Sequence, residues 1–398
     1  MTQLCAPVKR LVTTDKVELL ELDRGTHKLV YKNNELLFVD TDWNISPLRG
    51  KAKNIVSYHN FKETPDLDYT LQLVQRTHPR SDLYKLATYA RSTLDSLRML
   101  EFLQRHPNII GLCMGELGSI TRICAPIVGV PFMYAPLSKE EVNVPGQLLA
   151  GELKGVYHFD QLNAQTKIFG LIGDPIAQSP GHLFHNEAFH SKGINAVYIK
   201  MPLQAVELER FFALAKKLPF EGLSVTAPLK EAVLPFIDEI DPEAQEIGAV
   251  NTLVFKNGKI LGYNTDGAAA LELLGHVHRK TIVILGAGGA ARAIALTAMK
   301  RGAEVVLVNR TASKAQALAE KLGCHWSLTV PLYDILINAT SVSMPIEEQL
   351  LIPGKTVMDI ALYETDFIQA ARQKGCQVVE GQAMYLLQAA AQQELWKV

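Results

Sequence analysis

Residues 280–311 read KTIVILGAGGAARAIALTAMKRGAEVVLVNRT, and no other stretch restricts the fold as tightly. IVIL is apolar at every position, the pattern of a strand covered on both faces. Glycines follow, then apolar residues at helical spacing, then a second apolar run. The whole reads as a strand–turn–helix–strand unit of the dinucleotide-binding type. Gly286, Gly288 and Gly289 permit a tight turn and close approach of the backbone to a pyrophosphate. A helix opening near Gly289 presents free N–H groups to it. Gly286, Gly288, Gly289 and Ala290 are therefore candidate cofactor-binding residues, with Ala291 at the third small position of G-x-G-x-x-G/A. The plainer alternative is a glycine-rich packing turn. The second strand ends Asn309-Arg310-Thr311, with Lys314 close behind. A carboxylate for ribose hydroxyls is missing there, and two cations with two small polar groups suit a 2′-phosphate. NADP is expected over NAD, against the alternative of a solvated Arg/Lys pair.

Strands alternate with helices along most of the chain, which predicts an α/β protein with parallel sheets. Strands are expected at 54–59, 82–90 and 108–115, with helices at 67–77 and 92–106 between them. Short connectors in that order suit a (β/α) barrel. Residues 11–25 and 28–37 read as short strands or a hairpin. Around 150–166 the apolar pattern weakens, and a new series begins with strands at 167–173, 196–203 and 222–228. The reading divides the chain into a shortened barrel (1–158), a substrate-binding part (167–273 with the C-terminal helix 381–398) and a Rossmann-like NADP part (274–380). Charged residues make up 20% of the chain and the net charge is −1, which favours neither nucleic acid nor an anionic membrane surface. Five scattered cysteines (Cys5, Cys113, Cys124, Cys324, Cys376) lack zinc-site spacing, so no metal is expected. No apolar run reaches about 18 residues, and a cytoplasmic protein is the expectation. Oligomeric state is not legible.

Two lysines stand out chemically. Lys230 follows a strand and Pro228 in SVTAPLK, and Asp266 sits on the turn YNTDG. A lysine beside a carboxylate can relay a proton to a carbonyl oxygen as hydride reaches its carbon. Spacing alone favours a surface lysine and an Asx-turn aspartate over a pair. Lys85 lies inside the apolar strand LYKLATYA, where burial penalises its charge and favours a neutral amine able to form a Schiff base. His59 ends the strand NIVSYH and could move the protons of such a reaction. A snorkelling lysine and a rim histidine are the alternatives.

GLIGDPIAQSPGHLFHN, GLSVTAPLK, GAVNTL, GYNTDG, LGAGGAA, VVLVNRT, LINATSVSM and GQAMYLLQAA stand in an order that resembles the shikimate dehydrogenase family. The resemblance covers about 167–398. It implies that Lys230 and Asp266 form the catalytic pair. It implies that Ser179, Thr226, Asn251 and Gln388 hold the substrate, and that Asn309, Arg310, Thr311 and Lys314 receive the NADP phosphate. Gly181 stands where that family carries a second serine, which leaves quinate open as a substrate.

IVSYHNFKETP, LYKLATYA, CMGELGSITR and NVPGQL resemble strand ends of the type I dehydroquinate dehydratase family, a (β/α)₈ barrel. That resemblance implies Lys85 as nucleophile, His59 as general acid/base, Arg122 on the substrate carboxylate and Gln147 over the ring. FVDTDWN (38–44) resembles the strand just before. Dehydratase first and dehydrogenase second resembles the fused bifunctional family, with dehydroquinate, dehydroshikimate and shikimate as small-molecule substrates. Such a barrel takes at least about 200 residues, and only 158 precede the boundary. Either earlier strands are missing from this sequence or the barrel is shortened, closed by other strand pairings or by a second subunit. Glu18, Glu21 and Asp23 are the candidate acidic partners of His59. The competing reading is a monofunctional shikimate or quinate dehydrogenase whose first part is a non-catalytic relic.

Overall fold

The structure, a computed structural model, describes residues 9–12, 19–24, 27–32, 35–44, 53–142 and 144–398, with side chains from Phe38 onward. Glu18 and Asn143 lie outside the described residues, as do the side chains of Glu21 and Asp23. The chain forms two compact units, 1–223 and 224–398.

The first unit opens with strands β1 (Lys9–Val12), β2 (Leu19–Arg24), β3 (His27–Lys32) and β4 (Glu35–Asp42). Consecutive pairs are antiparallel, a plain meander. The pattern then changes to β5 (Lys53–His59), α1 (Leu67–Thr77), β6 (Leu83–Tyr89), α2 (Thr93–Arg105), β7 (Ile109–Met114), α3 (Ser119–Ile123) and β8 (Met133–Tyr134). β4, β5, β6 and β7 pair in parallel. The helices between them start where the sequence supplies caps. Asp66 accepts from Tyr69 N at 2.9 Å, and Asp95 reaches back to Ser92 N, each satisfying a backbone donor that helix geometry leaves free.

Among the described residues the strand order is β7-β6-β5-β4-β3-β2-β1-β8. In a flat sheet β6 and β8 would stand about 29 Å apart, at ~4.8 Å per strand. Yet the Lys85 ammonium on β6 lies 4.9 Å from the Tyr134 ring on β8. The sheet therefore curls until β8 faces β6 across its interior. The early strands form the meander, which needs no crossover helices.

The first unit continues with α4 (Ala150–Gly155), β9 (Lys167–Gly173), α5 (Gly181–Ser191), β10 (Ala196–Pro202), α6 (Leu208–Ala215) and β11 (Phe220–Val225), whose last residues begin the second unit. β9 and β10 are parallel. α2 packs against α6, and Thr93 Oγ1 donates to the Pro202 carbonyl at 2.5 Å.

The second unit holds α7 (Leu229–Ala232), β12 (Glu239–Ile240), α8 (Pro242–Ile247), β13 (Thr252–Lys256), β14 (Lys259–Tyr263) and α9 (Asp266–Leu274). The predicted crossover follows as β15 (Thr281–Leu285), α10 (Gly289–Lys300) and β16 (Glu304–Val308). Then come α11 (Ala312–Leu322), β17 (His325–Ser327), β18 (Ile335–Asn338), β19 (Thr356–Asp359), α12 (Asp366–Gln373), β20 (Gln377–Glu380) and α13 (Gly381–Trp396). The sheet β17-β16-β15-β18-β19-β20 is parallel throughout. Ile282 and Ile284 face one core with Ala291 and Ile294 of α10. Val283 and Leu285 face the other with Phe367 of α12. Burial on both sides explains the unbroken apolar run. Strand order reverses between β15 and β18, the switch point where ligands sit in open sheets.

Two candidate active sites

Parallel register assembles the first site. Asp42 pairs with Ser57, and Ser57 with Lys85. Two-residue alternation then puts Asp40, Asp42, Ser57, His59 and Lys85 on one face of the curled sheet. Lys85 is 4% exposed, and its Nζ donates to Asp40 Oδ2 at 2.5 Å. Asp40 also accepts from the hydroxyls of Ser57 and Tyr134. His59 Nδ1 lies 2.9 Å from Asp42 Oδ2. Since a carboxylate accepts, Nδ1 donates and Nε2 is left as the basic nitrogen. Burial, and then the charge of Lys85, hold the His59 pKa below the ordinary histidine value.

Arg122 on α3 is 3% exposed. Its Nη1 donates to the Tyr134 carbonyl at 3.3 Å, its Nε is buried without a partner, and burial pushes its pKa down to about 10. No carboxylate among the described residues pairs with it, so a buried cation stands ready for an anionic ligand. Gln147 is half-buried, on a loop pinned to the end of β7. Gly115 N donates to the Pro145 carbonyl at 3.0 Å. Gly146 has φ +79°, and a Cβ there would stand 1.9 Å from the Gly115 carbonyl oxygen.

The sequence reading assigned no role to Asp40, Asp42 or Tyr134. Asp42 is the acidic partner that the structure shows for His59. The signal was present in FVDTDWN: two aspartates at i and i+2 in an apolar strand share one face.

The second site lies at the start of α7, α9 and α10. Lys230 Nζ donates to Asp266 Oδ2 at 2.5 Å, and Asp266 is 3% exposed. The Asp266 Oδ1 accepts from Asn251 Nδ2 at 2.8 Å. Asn251 also reaches Thr265 Oγ1 at 2.9 Å and Gln388 Oε1 at 3.1 Å. These groups form one network, and the Lys–Asp pair that spacing alone did not favour is a real contact. Thr226 precedes the pair, and its carbonyl accepts from Leu229 N. Ser179 belongs to the first unit, where its Oγ accepts from Gly181 N at 3.3 Å.

The glycine loop fits a dinucleotide. Gly286 has φ +121°, and a Cβ there would stand 2.9 Å from the Ala339 carbonyl oxygen. A Cβ on Gly288 would meet open space, and α10 begins at Gly289, where a helix start presents free N–H groups. Ala290 is the second residue of that helix. At the end of β16, Asn309 Nδ2 donates to the Thr311 carbonyl at 2.9 Å. Arg310 and Lys314 are exposed there, with no carboxylate partner among the described residues. Two free cations beside a helix start suit a phosphate.

Comparison with known proteins follows this layout. Residues 34–164 match the type I 3-dehydroquinase family, 171–253 the shikimate dehydrogenase substrate binding domain, and 268–353 the shikimate/quinate 5-dehydrogenase family. The shikimate biosynthesis protein AroDE of Chlamydia muridarum is 36% identical over 98% of this chain and 81% of its own length. The chloroplastic bifunctional 3-dehydroquinate dehydratase/shikimate dehydrogenase of Arabidopsis thaliana is 34% identical over 87% of this chain and 63% of its own. The shikimate 5-dehydrogenase of Thermus thermophilus, solved in complex with NADP(H) and shikimate, is 34% identical over 58% of this chain and 93% of its own, with a TM-score of 0.55.

Proposed function

We propose how the two sites work from the premise that this chain belongs to the AroDE family of bifunctional 3-dehydroquinate dehydratase/shikimate dehydrogenases. The protein dehydrates dehydroquinate to dehydroshikimate and reduces dehydroshikimate to shikimate with NADPH. The three parts read from the sequence serve as its modules: a dehydratase barrel, a shikimate-binding part and an NADP part.

In the first site the Lys85 amine, its proton passed to Asp40, attacks the substrate ketone. Loss of water from the adduct leaves an iminium, which draws electrons from the neighbouring C–H bond. His59 Nε2 takes that proton, and the same imidazolium then protonates the departing hydroxyl. A second water hydrolyses the iminium and frees Lys85. Asp42 holds Nδ1–H and so keeps Nε2 turned to the substrate. Arg122 takes the carboxylate, and Gln147 covers the ring. The observation that carries this half is Lys85 itself, buried and facing the side of the sheet that carries a carboxylate-oriented histidine.

In the second site Lys230 supplies the proton to the carbonyl oxygen as it becomes an alkoxide, and Asp266 holds the lysine. Asn251 fixes Asp266. Thr226, Asn251 and Gln388 bind the substrate hydroxyls and carboxylate. The loop Gly286–Ala290 holds the pyrophosphate, and Asn309, Arg310, Thr311 and Lys314 hold the 2′-phosphate. NADPH, when bound, supplies the hydride. The Lys230–Asp266 contact carries this half.

The test is trapping. The protein is incubated with dehydroquinate, reduced with borohydride and digested for mass spectrometry. A ligand adduct on Lys85, absent in Lys85→Ala, is expected. Folded protein with a working dehydrogenase and no adduct would leave only the second site active. Comparing shikimate with quinate as substrates settles the consequence of Gly181, with shikimate preferred.

A further inference from the structure

The dinucleotide helix packs against Lys230 and against the residue that follows Asp266. Lys230 lies on the glycine loop: a Cβ on Gly289 would stand 3.3 Å from Lys230 Cδ and 3.5 Å from its Cβ. Asp266 is followed by Gly267, where a Cβ would stand 2.2 Å from Thr297 Oγ1 and 2.7 Å from the Ala293 carbonyl oxygen, both on α10. So α9 can begin where it does only because position 267 has no side chain.

Arg292, in the first turn of α10, adds a polar clamp. Its side chain is 13% exposed. Nη2 donates to Glu231 Oε2 at 3.2 Å, and Glu231 is the residue after Lys230. Nη1 donates to the carbonyls of Ile247 and Gly248, at 3.4 and 3.2 Å. Those carbonyls end α8, where a cation meets the negative end of the helix dipole. The same segment continues to Val250, whose N–H donates to the Lys230 carbonyl at 2.8 Å, and to Asn251, which holds Asp266. Arg292 thus reaches Lys230 by two routes, through Glu231 and through 247–250, and Asp266 by a third.

We propose that Arg292 is a positioning residue for the dehydrogenase reaction, tying the dinucleotide helix to Lys230 and Asp266 so that cofactor loop and proton relay keep one geometry. The inference rests on the assignment of Lys230 and Asp266 above. Arg292 touches neither reacting partner, and its effect falls on the rate of proton transfer rather than on cofactor affinity.

The test uses the full chain with Arg292→Gln, Arg292→Lys, Glu231→Gln and the double variant Arg292→Gln/Glu231→Gln. The Glu231 side chain is 53% exposed, so its variant keeps the fold even where Arg292→Gln does not. Shikimate oxidation gives kcat and KM, and fluorescence titration gives the NADPH dissociation constant. Loss of one charge-assisted hydrogen bond is expected to lower kcat about tenfold in Arg292→Gln and about threefold in Glu231→Gln, with NADPH affinity within about twofold of the parent. Arg292→Lys recovers part of kcat, and the double variant loses less than the product of the single losses. Unchanged kcat in Arg292→Gln and Glu231→Gln, or a loss matched by equal loss of NADPH affinity, overturns the proposal. Lys230→Ala runs in parallel. Near-normal activity there overturns the Lys230 assignment and this inference with it. Activity abolished there but intact in the Arg292 and Glu231 variants overturns this inference alone.

Discussion

Asp42 and His59 show how much one contact decides at the scale of a residue. The carboxylate selects the tautomer that leaves Nε2 basic, while burial and then the Lys85 charge lower the ring's pKa. Two consequences have a sign. The His59 pKa lies below about 6.5, so the acid limb of dehydratase kcat/KM falls below that pH. Asp42 raises the His59 pKa through its hydrogen bond and its charge. Asp42→Asn therefore moves the acid limb to still lower pH, and misplacing the ring lowers kcat by about 10²-fold or more. A pH–rate profile of both proteins checks both statements. An acid limb that moves upward in Asp42→Asn would remove Asp42 from this role.

At the scale of an element, the loop 144–147 and helix α5 make separate predictions. Gly146 combines a left-handed φ with a Cβ position that overlaps the Gly115 carbonyl. Gly146→Ala must push the loop off the end of β7, taking Gln147 with it. The dehydratase kcat/KM is expected to fall about tenfold or more, with shikimate oxidation unchanged. On α5, His185 is 1% exposed, stacked on Tyr198, and pushed down to about 3 by burial. An unfolded histidine binds a proton below about 6.5, whereas this folded one stays neutral until about pH 3. The unfolded state thus holds more protons in that window, and stability falls as pH drops through it. Thermal melts between pH 6.5 and 4 should show that fall, flattened in His185→Gln.

At the scale of the whole molecule, the compact unit runs past the dehydratase module to residue 223. The join is physical: α2 packs on α6, and Thr93 bonds to Pro202. A fragment of residues 1–158 loses that packing and is expected to melt several degrees below the first transition of the full chain, as followed by circular dichroism. Equal melting would make the contact idle. Much of the molecule was legible in its sequence. The period-two and period-3.6 patterns placed β5, α1, β6, α2 and β7 within a residue or two, and the glycine loop announced β15, α10 and β16. Lys85, His59, Lys230 and Asp266 stood out because their chemistry clashes with, or needs, their local setting. Those are local properties, set by side-chain sterics and by which residues can be buried. The choice of Asp42 for His59 and the return of β8 to face β6 were not. Each depends on strand register and sheet curvature, which arise only when distant segments meet and the sheet curls around its polar interior.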